Sequence, residues 1–216
     1  MGAIYRGPKR GYVLTDEDVL WLARALGGEF DQDEETAAWH AWSWMDRFHL
    51  WRYSDQHFKK FYELVRAHSK PVNPQWLTPG QGQCADHPND CDPDEIKRRT
   101  YWTSRTQAQL EEMGLWQLAK KFQNGDLPRP VDEPIPDFAA DWLIKRQKRP
   151  CMGYCIGPTG DQQCFLPLSC LKESERDAIL PGEVSLGTSL STIAWTSAGL
   201  LIASIIGWGI YTLTRR

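Results

Sequence analysis

The sequence predicts a mainly α domain of α+β type, followed by one C-terminal transmembrane helix. Three observations carry this. Capped, amphipathic helical patterns recur from Leu14 to about Phe122. A proline-rich stretch and a cysteine-dense stretch follow, and they read as ordered loop and short strands. From Val184 to Thr214 there is no charged residue, and "IAWTSAGLLIASIIGWGIYTL", Ile193 to Leu213, is almost continuously apolar.

The first helix lies in "LTDEDVLWLARALGG". Thr15 suits the N-cap, and Asp18 stands at the third helical position, the arrangement of a capping box. Asp16 and Glu17 favour the positive end of the helix dipole. Val19, Leu22, Ala23 and Leu26 form one face. Gly27 or Gly28 is expected to end the helix. A second helix is expected from about Glu34 to Leu50, with Ala38, Ala41, Trp42 and Met45 inward. A third covers about Gln56 to His68 with Phe58, Phe61, Tyr62 and Val65. "SKPVNPQWLTPGQGQ" is a loop rich in Pro, Gly and Asn. Asp92, Pro93 and Glu95 then open a fourth helix that runs to Phe122, with a break near Gly114. "NGDLPRPVDEPIPDFAADW" is a proline-rich ordered loop, and "RPCMGYCIGPTGDQQCFLPLSC" reads as short strands or turns pinned by cysteines.

The apolar segment would span roughly 30 Å as a helix, about the thickness of a bilayer core. Trp195, Trp208 and Tyr211 lie towards its ends, and Arg215 and Arg216 close it. Membrane lipid is therefore an expected partner. Lys172 and Arg176 on the other side leave the orientation undecided. Gly199, Ala203 and Gly207 share one face, where a partner helix can approach closely. The expected domains are a soluble domain at 1–171, a polar tether at 172–188 and the membrane helix at 189–214. The opening "MGAIYRGPKRGYVLTDED" lacks the apolar run of a signal peptide. Arg6 stands where myristoylation after Gly2 needs Ser or Thr.

The 216 residues carry a net charge of −3 with the signs mixed, so no basic stripe points to nucleic acid. The 11 tryptophans lie mostly before residue 143 and can fill a core or stack on a sugar or base. Six cysteines fall in two groups without Cys-x-x-Cys spacing, so disulfides are expected rather than zinc. Cys84 with Cys91 is the simplest pair; Cys151, Cys155, Cys164 and Cys170 allow three pairings. Asp90, Asp92 and Asp94 mimic the start of a calcium loop, but Glu95 and Tyr101 stand where Gly and Glu are required. No metal or cofactor is expected.

Three stretches in order resemble the lysozyme-like cell wall hydrolase family of spore-cortex-lytic type, phage-borne members included. "LARALGGE" followed by "AAWHAWSWMDRF" is similar to that family's Gly-Glu and Ala-rich helix ending in Asn-Arg, with Asp46-Arg47 in place of that pair. "AHSKPVNPQW" is similar to a Phe-Ser-Gln-Pro-x-Asn-Pro loop, with His68 and Lys70 as departures. "NGDLPRPVDEPIPDFA" is similar to the family's Gly-x-x-Pro-x-Pro element, and "CIGPTGDQQCFLP" could stand for its closing turn and strand. The resemblance covers Leu14 to Leu168.

What it implies is a lysozyme-like α+β fold and a muramidase or lytic transglycosylase acting on peptidoglycan glycan strands. Glu29 would be the catalytic acid, giving its proton to the leaving oxygen. Leu26, Phe30 and Trp39 are placed to dehydrate a carboxyl there, and dehydration favours the protonated form. On residues alone, Glu29 reads as a solvated glutamate after a helix cap. Asp31, Asp33, Glu34 and Glu35 read as a turn and helix start. Ser69 and Asn73 would line the substrate cleft, or else serve turn chemistry. Two functions of different class follow. One is a membrane-anchored wall-cleaving enzyme, carried in a phage particle or tail-anchored in a cell. The other is a non-catalytic adaptor of the same fold among virion structural proteins or at a membrane.

Overall fold

In a computed structural model, residues 12–29, 33–50, 58–157 and 162–174 are described here, the side chain of Asp141 excepted. The chain divides into two units, Met1–Ile179 and Leu180–Arg216. The second unit, and with it the expected membrane span, lies outside the described residues. Among the described residues no helix is long and apolar enough to cross a membrane.

Thr15 and Asp18 start the first helix as the sequence requires. The Thr15 side chain accepts from the Asp18 amide, and the Asp18 carboxylate accepts from the Thr15 amide at 2.7 Å. Asp18 is also fully buried, and it accepts hydrogen bonds from the Tyr12 hydroxyl at 2.8 Å and from the Tyr62 amide at 2.8 Å. One carboxylate thus caps helix α1 (Asp16–Gly28) and anchors the start of helix α3 (Phe61–His68). Burial of Tyr12, with Asp18 beside it, pushes the phenol up to about 12.

Helix α2 (Glu34–Leu50) was expected to bury one stripe, but it buries most of its circumference. The reason is that it is packed from several sides. Trp44 and Phe48 join the main helical core with Leu22, Leu26, Phe61 and Val65. Trp39 packs with Ile135 and Phe165 from the other half of the domain. Trp42 is half-buried, edge-on to Phe122 at 5.1 Å.

Helix α3 begins at Phe61, later than the hydrophobic pattern suggested, because Glu63 folds back to accept from the Lys59 and Lys60 amides. The Pro- and Gly-rich loop contains 3₁₀ turns at Lys70–Val72 and Pro74–Trp76, and a short helix α4 (Gln83–Asp86) and a 3₁₀ turn at Pro88–Asp90 follow it. The expected long fourth helix is three: α5 (Pro93–Thr103), α6 (Gln107–Glu112) and α7 (Leu115–Asn124). Asp92 caps α5 through the Asp94 and Glu95 amides, each at 2.9 Å. The first interruption arises because Thr106 and Gln109 form a capping box of their own. The second is Gly114, whose φ of +75° suits glycine.

Three strands form an antiparallel sheet in the order β1-β3-β2: β1 (Asp137–Ala140), β2 (Tyr154–Ile156) and β3 (Gln163–Leu166). Helix α8 (Asp141–Gln147) follows β1 directly. The protein is therefore mainly helical with a small sheet. Three disulfides brace it: Cys84–Cys91 as the simplest pairing had it, Cys155–Cys164 between directly paired positions of β2 and β3, and Cys151–Cys170.

Asp46 and Arg47 at the end of α2 have a structural role. Asp46 is fully buried, accepts from Arg129 and from the Ile135 amide, and so ties the proline-rich loop to α2. Arg47 pairs with Asp137 at 3.1 Å, fixing β1 to the same helix. Removing one partner of such a buried pair strands the other charge.

Candidate active site at the end of helix α1

The helix ends at its second glycine, as expected. Both Gly27 and Gly28 are helical, and Glu29 is the C-cap, with φ −84° and ψ 3°. The glycines are there for closeness rather than handedness. A Cβ on Gly27 would stand 2.3 Å from the Trp102 ring, and one on Gly28 would stand 2.2 Å from the Cβ of Pro71. Both are overlaps. Only a helix end without side chains lets α5 and the Lys70–Val72 turn press against it.

That close approach brings Ser69 to Glu29. Ser69 ends α3, its amide donating to the Val65 carbonyl at 2.9 Å. It also precedes the 3₁₀ turn, where a serine hydroxyl would ordinarily cap the amides that follow. No such cap forms. The hydroxyl, fully buried, donates instead to Glu29 Oε1 at 2.9 Å, across 40 residues of chain. Glu29 itself is half-buried. Arg98 from α5 donates to the Gly28 carbonyl at 3.1 Å, next to Glu29, and pairs with Glu95 at 2.9 Å. A cation on the carbonyl end of a helix complements the dipole there.

Asn73 has a different task. Its Oδ1 accepts from the Gln75 amide at 2.9 Å, and its Nδ2 donates to the Ala67 carbonyl at 2.7 Å. Both bonds hold the turn after α3. Asn73 also lines a pocket with Glu63, Arg66, Ala67, Pro74 and Gln75. Neither Ser69 nor Glu29 lines that pocket.

Of the residues expected to dehydrate Glu29, Leu26 is fully buried in the helical core and Phe30 lies outside the described residues. Trp39 lies tilted against Phe165 at 5.2 Å and Tyr154 at 5.4 Å, so its aromatic neighbours belong to the sheet. The side chains that close around the end of α1 are Pro71, Trp102 and Ser69. Sequence reasoning missed Pro71, Trp102 and Arg98. Arg98 and Trp102 are spaced i, i+4 and so share a face of α5, but nothing local names the helix end they would meet.

The acidic turn after Glu29 is occupied with structure. Asp33 caps α2 by accepting from the Thr36 amide at 2.8 Å, which holds its carboxyl below the usual range. Glu34 pairs with Lys121 of α7. Asp31 lies outside the described residues. His68, immediately before Ser69, packs edge-on to Phe58 at 5.9 Å. Burial, with Arg47 adding like charge, pushes it down to about 3, so it is neutral near pH 7.

Among the described residues no group of three His, Cys, Asp or Glu could hold a metal ion. In comparisons with known proteins, the chain matches no family profile, no curated protein and no solved structure.

Proposed function

We propose that the protein is a membrane-anchored enzyme that cleaves peptidoglycan glycan strands, as a lytic transglycosylase or muramidase, with Glu29 as its acid. Support comes from one observation above the rest: Ser69 spends its buried hydroxyl on Glu29 across 40 residues rather than on its own turn. A hydrogen bond of that kind fixes Oε1 and with it the plane of the carboxyl, as a proton donor needs. A half-buried carboxyl in that position can still reach a ligand.

In the transglycosylase form of this reading, Glu29 gives its proton to the glycosidic oxygen as the C1–O bond breaks. The sugar's own hydroxyl closes on C1 to form an anhydro ring, and its proton returns to Glu29. In the muramidase form, water takes the place of that hydroxyl. The apolar segment 193–213 would hold the enzyme at a membrane, and carriage in a phage particle would place it at the wall while the genome is delivered.

A specific observation also favours the adaptor reading. The Ser69–Glu29 bond joins the end of α1 to the end of α3, beside Pro71 and Trp102, and would serve equally as a latch between two helices. The two readings part on product. Full-length protein incubated with purified peptidoglycan should release muropeptides visible by mass spectrometry, anhydro-ended for a transglycosylase and reducing-ended for a muramidase. A digest without new glycan ends supports the adaptor.

A further inference from the structure

We propose that the pocket beside helix α3, lined by Glu63, Arg66, Ala67, Asn73, Pro74 and Gln75, binds the free carboxylate of a short peptide, with Arg66 as the anchor. The pocket holds about 330 Å³, the volume of roughly ten water molecules and so room for a carboxylate with the residue that carries it. Arg66 lies with its guanidinium 4.2 Å from the ring of Trp21, and Arg24 lies 4.4 Å from the same indole. Two cations on one indole repel each other; burial first, and the Arg66 charge after it, lower the Arg24 pKa. Arg24 is already used: its Nε and Nη2 donate to the Arg105 carbonyl at 3.0 and 2.8 Å. Arg66 has no hydrogen bond and no ion pair among the described residues, and its Nε is buried without an acceptor. Glu63, one turn earlier and on the same pocket, makes no ion pair with it; its carboxylate accepts from the Lys59 and Lys60 amides.

A guanidinium held over an indole is oriented before a ligand arrives, and its fork matches an oxyanion. Glu63 also faces the pocket. Its charge opposes any anion, so charge alone does not decide; the guanidinium fork holds a planar carboxylate in two bonds, and Gln75 can add contacts to the attached peptide that inorganic phosphate lacks. Gln75, exposed and with no side-chain partner among the described residues, can serve the amides of a peptide beside that carboxylate. Identifying the peptide as the stem carried by muramoyl residues rests on the wall-cleaving reading above; the carboxylate site does not.

The test titrates the full-length chain with an N-acetylmuramoyl dipeptide bearing a free terminal carboxylate, with the same compound amidated at that carboxylate, and with inorganic phosphate. The free acid should bind, amidation should weaken it by about tenfold or more, and phosphate should bind less well than the acid. Arg66→Gln should reproduce the loss with the free acid. Equal binding of acid and amide, tighter binding of phosphate, no binding of the acid, or an unchanged affinity in Arg66→Gln would each overturn the site. The comparison of acid with amide uses the parent chain, so it stands even if the variant folds poorly. Glu29→Gln keeps peptide binding in this account. A chain that cleaves wall glycan but ignores the peptide overturns the carboxylate site alone. A chain that binds the peptide but leaves the glycan intact supports that site and overturns the wall-cleaving reading.

Discussion

The aromatic face of α2 and the bare end of α1 use opposite means to bring distant chain together. On α2, bulk does it. Trp44 and Phe48 reach into the helical core, Trp39 into the cluster against the sheet, and His40 sits edge-on to Phe138 and Phe165, each at 4.9 Å. At the end of α1, the lack of bulk does it. Gly27 and Gly28 allow Trp102 and Pro71 to close in, and the reward is a polar contact, Ser69 to Glu29. Tryptophan density marks where the fold is held. Two glycines before a glutamate mark where a polar group can be placed with little else in the way.

The contrast can be broken at either region. Trp39→Ala should cause the largest loss, about 3–5 kcal/mol of stability, because it empties the contact between α2 and the sheet. Thermal and denaturant unfolding check it. If Trp39 instead serves ligand binding, stability would stay near that of the parent.

The next effect is one of pH and concerns His68, beside Ser69. Its folded pKa lies below its ordinary value of 6.5, at about 3. The unfolded chain therefore binds a proton between those limits that the folded chain refuses. Stability from this group is fully present above pH 6.5 and falls as pH drops towards 3, by on the order of a few kcal/mol. His68→Gln should flatten that part of the stability profile in denaturant melts from pH 7 to 4. An unchanged slope would show that His68 is not buried as described.

Gly28→Ala sharpens the other side. One methyl would overlap Pro71, so a cost of about 1–3 kcal/mol is expected, with wall-cleaving activity falling further than stability explains. A variant as stable and active as the parent would mean that the turn and the helix end are not pressed together. Smallest of all is Glu34→Gln. Its pair with Lys121 is about half exposed, so the change should cost less than about 1 kcal/mol and leave activity intact.

Local chemistry made much of this fold legible. Thr15 with Asp18 and Asp92 with Pro93 each give a helix start, because a cap is a contact between near neighbours. Cys84 and Cys91 pair across a separation of 7, again a local matter. What was not legible depends on partners far along the chain. The glycines read as a helix stop, yet their function is set by Trp102 and Pro71. Ser69 was even between turn and cleft, and its hydroxyl was decided by a glutamate 40 residues away. Asn73 took the turn chemistry its neighbours offer and lines the pocket beside α3 as well. The sheet order β1-β3-β2 also follows from long-range pairing, which periodicity does not carry.

The central claim is that Glu29 donates a proton. Glu29→Gln keeps the shape and can still accept from Ser69, but it has no acidic proton to give. Muropeptide release by the full-length variant should fall by about 10² to 10⁴, with thermal melts showing a folded protein and with Glu34→Gln as the active control. Release by Glu29→Gln within a few-fold of the parent would contradict the account and leave the Ser69–Glu29 bond as a latch between two helices.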